Sequence, residues 1–293
     1  MNTSYKLSLT EKEIKAIQDY TGIMHAKINA ITDLKYSKIN TLMQKSWDME
    51  MSTQELEMII QKFVDLYSAI YKAGNREGRS RLFRGTSEAE LSLMKNNKTV
   101  SNCISTSLEE DIAKNFIQYE GKPAILIIRK EQGIPSLYIE PYKEEDKRNE
   151  EEVLILPFSK VKTLEYINDW QGRAYYTITL EKGELEQIPE QELETLKAQL
   201  IEGYENYVEK ITQCRNLEEN IEYLNMKIRE KGLDAKEKQS YHKQLNEKTS
   251  IFVDLRRNVN EYRKQFTRML QGMCKQRELE IEKQKENEKE ETK

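Results

Sequence analysis

The chain has 293 residues, enough for one large domain or two ordinary ones. Hydrophobic residues make up 37% and charged residues 33%, so a packed core fits part of the chain better than all of it. Its 47 basic and 51 acidic residues leave a formal net charge of −4, which demands neither nucleic acid nor an anionic membrane, although a local basic patch would still admit RNA.

Cys103, Cys214 and Cys274 lie too far apart for a disulfide framework or for zinc-ligand spacing. His25 and His242 are too few for a histidine metal cluster, and both read as ordinary helix residues in charged stretches. The chemistry should therefore run on carboxylates, hydroxyls and arginines. Met1 to Thr10 has no signal-peptide run, and no window approaches the ~18 apolar residues of a membrane span. The expected location is the cytoplasm, or a site reached by secretion or delivery without a recognisable signal peptide.

The first region, residues 1–76, reads as a helical leader. Thr10 and Glu13 form a capping box ahead of Ile14 and Ile17, and Gly22 is a stop or kink. A second apolar period runs through Ile23, Ile28, Ile31 and Leu34. Ser52 and Glu55 cap a third helix, whose apolar face runs from Leu56 to Ile70 and which stops at Gly74.

Residues 77–184 change period. Short β-rich runs appear at 82–84, 104–107, 124–129, 136–139, 152–156, 161–167 and 175–180. One helix is expected from Glu109 to about Tyr119. Strands mixed with a helical leader predict an α+β fold built on a mixed β-sheet.

Residues 185–278 return to helix. One apolar stripe runs from Leu193 to Ile228, Gly232 breaks it, Asp234 and Glu237 cap the next helix, and a second stripe runs from Leu245 to Met269. This predicts an antiparallel helical hairpin, either a structural arm or a dimer-forming coiled coil, that binds a partner or self-associates. Residues 279–293 are almost all Glu, Lys, Gln and Asn and read as a disordered tail.

Three features could carry chemistry. Glu150 and Glu152 stand two apart before Val153-Leu154-Ile155-Leu156, so strand periodicity would put both carboxylates on one face at the mouth of a buried strand. Taken alone, they read more readily as a solvated acidic loop, with Glu144, Glu145, Asp146 and Glu151 nearby. Arg84 lies inside the apolar strand Leu82-Phe83-Arg84-Gly85, where arginine is costly unless paired. Its planar fork suits phosphate oxygens, and Gly85 lets a ligand or another backbone come close. Ser105-Thr106-Ser107 is a strand of small hydroxyls running into a helix, and Thr106 or Ser107 could simply cap that helix. No Gly-x-Ser-x-Gly elbow accompanies it.

Taken in order, Arg84-Gly85, then Ser105-Thr106-Ser107, then Glu150-Glu151-Glu152-Val153-Leu154-Ile155 resembles the Arg–Ser–Glu class of mono-ADP-ribosyltransferases. Leu9-Thr10-x-x-Glu13, Tyr20-Thr21-Gly22 and Ile28-Asn29 look like the helices before the active site in the bacterial exoenzymes and binary-toxin enzyme components of that class. Asn102 falls where that family often has an NAD-contacting asparagine. The resemblance covers roughly residues 9–182 and leaves the hairpin unassigned. The stretch between Ser136 and Glu150 is more charged than the family's substrate-recognition loop, and the glutamate run leaves the register ambiguous by one.

The resemblance implies NAD as a substrate and no metal. Glu152 would face the ribose as positive charge develops there, with Ser105 holding it. Arg84 would grip the diphosphate. Gly85, Asn102, Thr106, Tyr20, Asn29 and Phe116 would complete the NAD site, although Phe116 by itself reads more readily as a core aromatic. Glu150 would orient or deprotonate the acceptor, most simply a protein arginine. An NAD glycohydrolase, an RNA- or nucleotide-modifying enzyme, and a non-enzymatic coiled-coil interaction protein remain as alternatives.

Overall fold

The computed structural model describes residues 8–22, 24–32, 51–74, 81–117, 122–130, 133–144, 149–230 and 232–291. Ile23 and Leu34 of the second apolar period, and the expected helix end at Tyr119, lie outside these residues. The chain divides into two compact units. The first is built from within Met1–Asp48, Met58–Ile188 and Leu270–Lys293, and the second from within Met49–Glu57 and Pro189–Met269.

The first unit is α+β. It opens with helices α1 (Glu11–Tyr20) and α2 (His25–Thr32). Both halves of the Thr10/Glu13 capping box are present. Helix α3 (Thr53–Ala73) begins in the stretch assigned to the second unit, where Ser52 Oγ accepts from Glu55 N; from Met58 on it belongs to the first, and it ends at Gly74, whose φ of 62° suits glycine.

The sheet has eight strands in the order β2-β7-β8-β4-β1-β3-β6-β5. They are β1 (Arg81–Ser87), β2 (Thr99–Val100), β3 (Ile104–Ser107), β4 (Pro123–Lys130), β5 (Ser136–Tyr138), β6 (Glu152–Ile155), β7 (Ser159–Trp170) and β8 (Arg173–Glu181). Among the described residues only β4 and β8 pair in parallel, and every other neighbour is antiparallel. A paired neighbour on each side and burial explain the composition of β4 and β6. Ile125, Leu126 and Ile128 on β4, and Val153, Leu154 and Ile155 on β6, are all 0% exposed.

Two elements escape the strand-period reading. Helix α4 (Glu88–Asn97) and the short β2 fill the interval between β1 and β3. Ser87 caps α4 by accepting from Glu90 N, and Lys98 closes it in a left-handed conformation. The helix expected from Glu109 to Tyr119 is shorter: α5 spans Glu110–Lys114 and gives way to a turn at Asn115 and Phe116. Gly85 supplies a physical reason. A Cβ there would collide with Ala113 O and lie 2.7 Å from Ile117 N, so β1 presses its bare backbone against this turn.

The second unit carries helices α6 (Glu190–Glu202), α7 (Tyr204–Arg229) and most of α8 (Ala235–Glu291). The first hairpin arm is thus broken at Gly203, not continuous. Contacts Glu192–Arg268 and Leu200–Tyr262 run in opposite directions along α6 and α8, while Arg263 Nε donates to Tyr207 Oη and the Tyr207 and Tyr262 rings stack at 4.3 Å. The residues predicted to form a disordered tail beyond Glu278 are instead helical as far as Glu291. Their Glu, Lys and Gln favour helix, and Ile281, 3% exposed, anchors them by burial. Among the described residues no helix is long and apolar enough to cross a membrane.

Candidate active site

The carboxylate at the centre of the site is set by strand pairing. β3 and β6 run antiparallel with Ser107 opposite Glu152 and Ser105 opposite Leu154. Ser105 and Glu152 are therefore diagonal neighbours on one face, within side-chain reach. Ser105 Oγ donates to Glu152 Oε1 at 2.5 Å. Thr106 points to the other face, and its buried hydroxyl donates to Val153 O at 2.7 Å. Ser107 Oγ donates to Glu150 O and accepts from Glu109 N, so Ser107 is the hydroxyl that meets the chain entering α5.

Glu150 reaches the same place by a different route from the expected one. β6 begins only at Glu152, and the backbone before it bends through Asn149 and Glu151 at φ of 90° and 48°. Strand alternation therefore does not align the two carboxylates. Lys143 does, since its Nζ lies 2.7 Å from Glu150 Oε2 and 2.8 Å from Glu152 Oε2. The left-handed residue between them turns Glu151 away, where its Oε2 accepts from Tyr138 Oη.

Arg84 projects from β1 toward the same strands. Its Nη1 donates to Ser105 O at 2.9 Å and its Nη2 to Glu90 Oε1 at 3.0 Å, while Nε is buried with no partner among the described residues. Thr86 Oγ1 donates to the other oxygen of Glu90. The charge of Glu90 raises the Arg84 pKa against the opposing effect of burial, so the guanidinium stays charged.

The leader closes one side. Buried Tyr20, at the end of α1, donates to Cys103 O at 3.3 Å and meets the Asn29 side chain on α2. Burial pushes its phenol well above the usual tyrosine range. Asn102 Oδ1 accepts from Thr32 Oγ1 at 2.8 Å. His25 packs edge-on against Tyr20 at 5.8 Å. Desolvation by these surroundings, and then the charge of Arg84, hold its imidazole below the usual value.

These groups surround a cleft of about 400 Å³. Tyr20, Asn29, Arg84, Gly85, Asn102, Ser105, Thr106, Phe116, Glu150 and Glu152 all line it. Each of the residues assigned to the site from the sequence is thus brought to one cavity. Gly85 serves close packing of backbone on backbone there, and Phe116 is 53% exposed, a rim residue and not a core aromatic. Sequence reasoning missed Glu90, Lys143, Glu140 and the place of His25 on the wall. Ser87-x-x-Glu90 is a capping-box spacing that would have found α4 and, with it, Glu90.

A carboxylate fixed by a hydroxyl, a second carboxylate beside it and a charged arginine in the cleft wall suit a ligand that carries an anionic group and develops positive charge nearby. No protein-family model matches the chain. No curated protein matches it either. The solved structures it resembles include bacterial ADP-ribosyltransferases. The Vis toxin from Vibrio splendidus is 17% identical, with 60% of this chain and 75% of that chain covered at a TM-score of 0.38. HopU1 of Pseudomonas syringae is 14% identical, with 58% and 76% covered at a TM-score of 0.39. C3stau2 from S. aureus, solved with NAD, is 16% identical, with 60% and 89% covered at a TM-score of 0.41.

Proposed function

We propose that the cleft binds NAD and that the chain is a mono-ADP-ribosyltransferase, transferring ADP-ribose to a macromolecule, with a protein arginine as the acceptor. The observation that carries this reading is the Ser105–Glu152 hydrogen bond, set in one cleft wall with Arg84 and Glu150.

Arg84 lines the cleft with its guanidinium held by Glu90 and Ser105 O, and its charged fork would meet the NAD diphosphate. Glu152 supplies a preset negative charge beside the ribose as the bond from its C1′ to nicotinamide breaks. Nicotinamide leaves with the bonding pair. An acceptor guanidino nitrogen forms the new bond to C1′ and gives up its proton, and Glu150 takes it. Glu150 is 44% exposed along its side chain, which suits a group that meets an incoming macromolecule. The second unit would bind a partner or self-associate: Tyr223, Met226, Ile251 and Val253 leave apolar surface open there.

The test is incubation of the purified chain with labelled NAD, alone and with lysate, comparing wild type with Glu152→Gln. Nicotinamide release that falls by on the order of 10²–10³ in the variant is the expected result. Label on protein supports the acceptor reading, while label on RNA, or free ADP-ribose alone, replaces it with those acceptors. An NAD pool left intact by wild type refutes the enzyme and favours a partner-binding scaffold.

A further inference from the structure

Lys143 follows a single 3-10 turn, Glu140–Tyr142, and its side chain is 0% exposed. A lysine so enclosed tends to lose its proton. Here three carboxylates surround it: Glu140 Oε1 at 3.1 Å, Glu150 Oε2 at 2.7 Å and Glu152 Oε2 at 2.8 Å. Burial works to lower its pKa, but the charge of Glu152 and the hydrogen bonds to all three glutamates raise it above the ordinary lysine value. The ammonium stays charged.

Glu140 completes the arrangement from below. Its Oε2 accepts from Asn149 N at 2.9 Å and its Oε1 from Glu152 N at 3.0 Å. Those bonds clamp the two ends of the left-handed bend at Asn149 and Glu151, a conformation that persists where its surroundings enforce it. Glu140 in the 3-10 turn thus fixes the backbone before β6, and Lys143 just after the turn gathers the carboxylates of Glu150 and Glu152.

We infer that Lys143 is a positioning residue that holds Glu150 and Glu152 side by side as a working pair of carboxylates. The inference rests on the NAD reading above. Two carboxylates that share one site repel, and without a cation between them one takes up a proton. Lys143 places its charge where that repulsion would arise. Glu152 also faces Ser105 on β3, Arg84 on β1, Tyr20 on α1, His25 on α2 and Cys103 before β3. Of these only His25 changes charge in the mildly acidic range, so the experiment is done with and without His25→Gln.

The pH dependence of nicotinamide release is measured for wild type, Lys143→Met and Lys143→Arg. In Lys143→Met the acid limb is expected to move up by about one pH unit, because the charge that offsets the repulsion of the two carboxylates is gone. The NAD KM should change little while kcat falls about tenfold. Lys143→Arg keeps the charge and should keep the acid limb where wild type has it, with a lower kcat from altered geometry. Circular dichroism identifies any variant that has not folded. If Lys143→Met does not fold, Lys143→Arg decides alone, since an acid limb that moves despite the retained charge overturns the inference. An unmoved acid limb in folded Lys143→Met overturns it too, with the NAD reading intact. Wild type that releases no nicotinamide at any pH is a different outcome and overturns the NAD reading itself.

Discussion

Ser105 and Glu152 sit two positions out of direct opposition on antiparallel β3 and β6, and the Ser105 hydroxyl spans that diagonal to Glu152 Oε1. The hydrogen bond depends on register, because a one-residue slip of either strand would move its side chain to the opposite face. Thr106 Oγ1 to Val153 O braces the same pair of strands from the other face. The carboxylate is thus oriented before any ligand arrives.

Ser105→Ala removes that orientation and leaves the charge. Lys143 still holds Glu152 Oε2, so the carboxylate is not lost but gains freedom about its last torsion. We expect kcat for nicotinamide release to fall by on the order of 10²-fold, with the NAD KM nearly unchanged. Steady-state kinetics checks this. A variant with full kcat would show that Ser105 does not position Glu152, and a variant that loses only NAD affinity would make Ser105 a binding group instead.

Gly85→Ala tests the close approach of β1 to the turn after α5. The new Cβ would strike Ala113 O and lie 2.7 Å from Ile117 N, and both are backbone atoms that cannot rotate away. Overpacking of this kind costs about 1–3 kcal/mol. The turn carries Phe116 to the cleft rim, so the displacement should also raise the NAD KM. Thermal unfolding and NAD titration are the two readouts. A melting temperature equal to that of wild type would mean that the backbone relaxes freely there, and that Gly85 is not required for packing.

The parts of the site that could be read from the sequence are those tied to local pattern. Arg84, Ser105 and Glu152 lie on apolar runs bounded by turn residues, and the pleat places them once the strands are known. Lys143 was hidden by its setting. It stands among Glu144, Glu145, Asp146 and Glu150, a stretch that reads as solvated loop, and nothing local shows that its ammonium is enclosed. Glu140 and Glu90 were hidden for a related reason: one works through the backbone of residues nine and twelve positions on, the other through a helix that the apolar period does not announce. Glu150 shows the converse. It was paired with Glu152 by strand alternation, but the pairing is made by an ion contact across a bend. The helical tail was missed because its charges mimic a disordered sequence, whereas Ile281 and Glu278 are buried within the first unit.

Glu278 yields a pH prediction. It is 1% exposed and takes hydrogen bonds from Tyr67 Oη at 2.6 Å and Lys275 Nζ at 3.1 Å, with Lys182 Nζ at 2.8 Å. Burial alone would raise its pKa, but Lys182 and Tyr67 more than offset this and hold it below the ordinary glutamate value. A carboxyl group whose folded pKa lies below its unfolded one stabilises the fold above the unfolded pKa, and that contribution is lost as pH falls through the folded pKa. Glu278→Gln does not titrate at this position. At neutral pH it should be less stable than wild type by about 1.5–3 kcal/mol, the worth of hydrogen bonds to a charged group. As the pH drops below the ordinary glutamate range the wild-type advantage should shrink toward zero, so the two melting curves converge in acid. Urea titrations at neutral pH and at successively lower pH test this. A stability gap that is constant with pH would mean that Glu278 acts by shape and not by charge, and a gap that widens in acid would reverse the sign of its pKa shift.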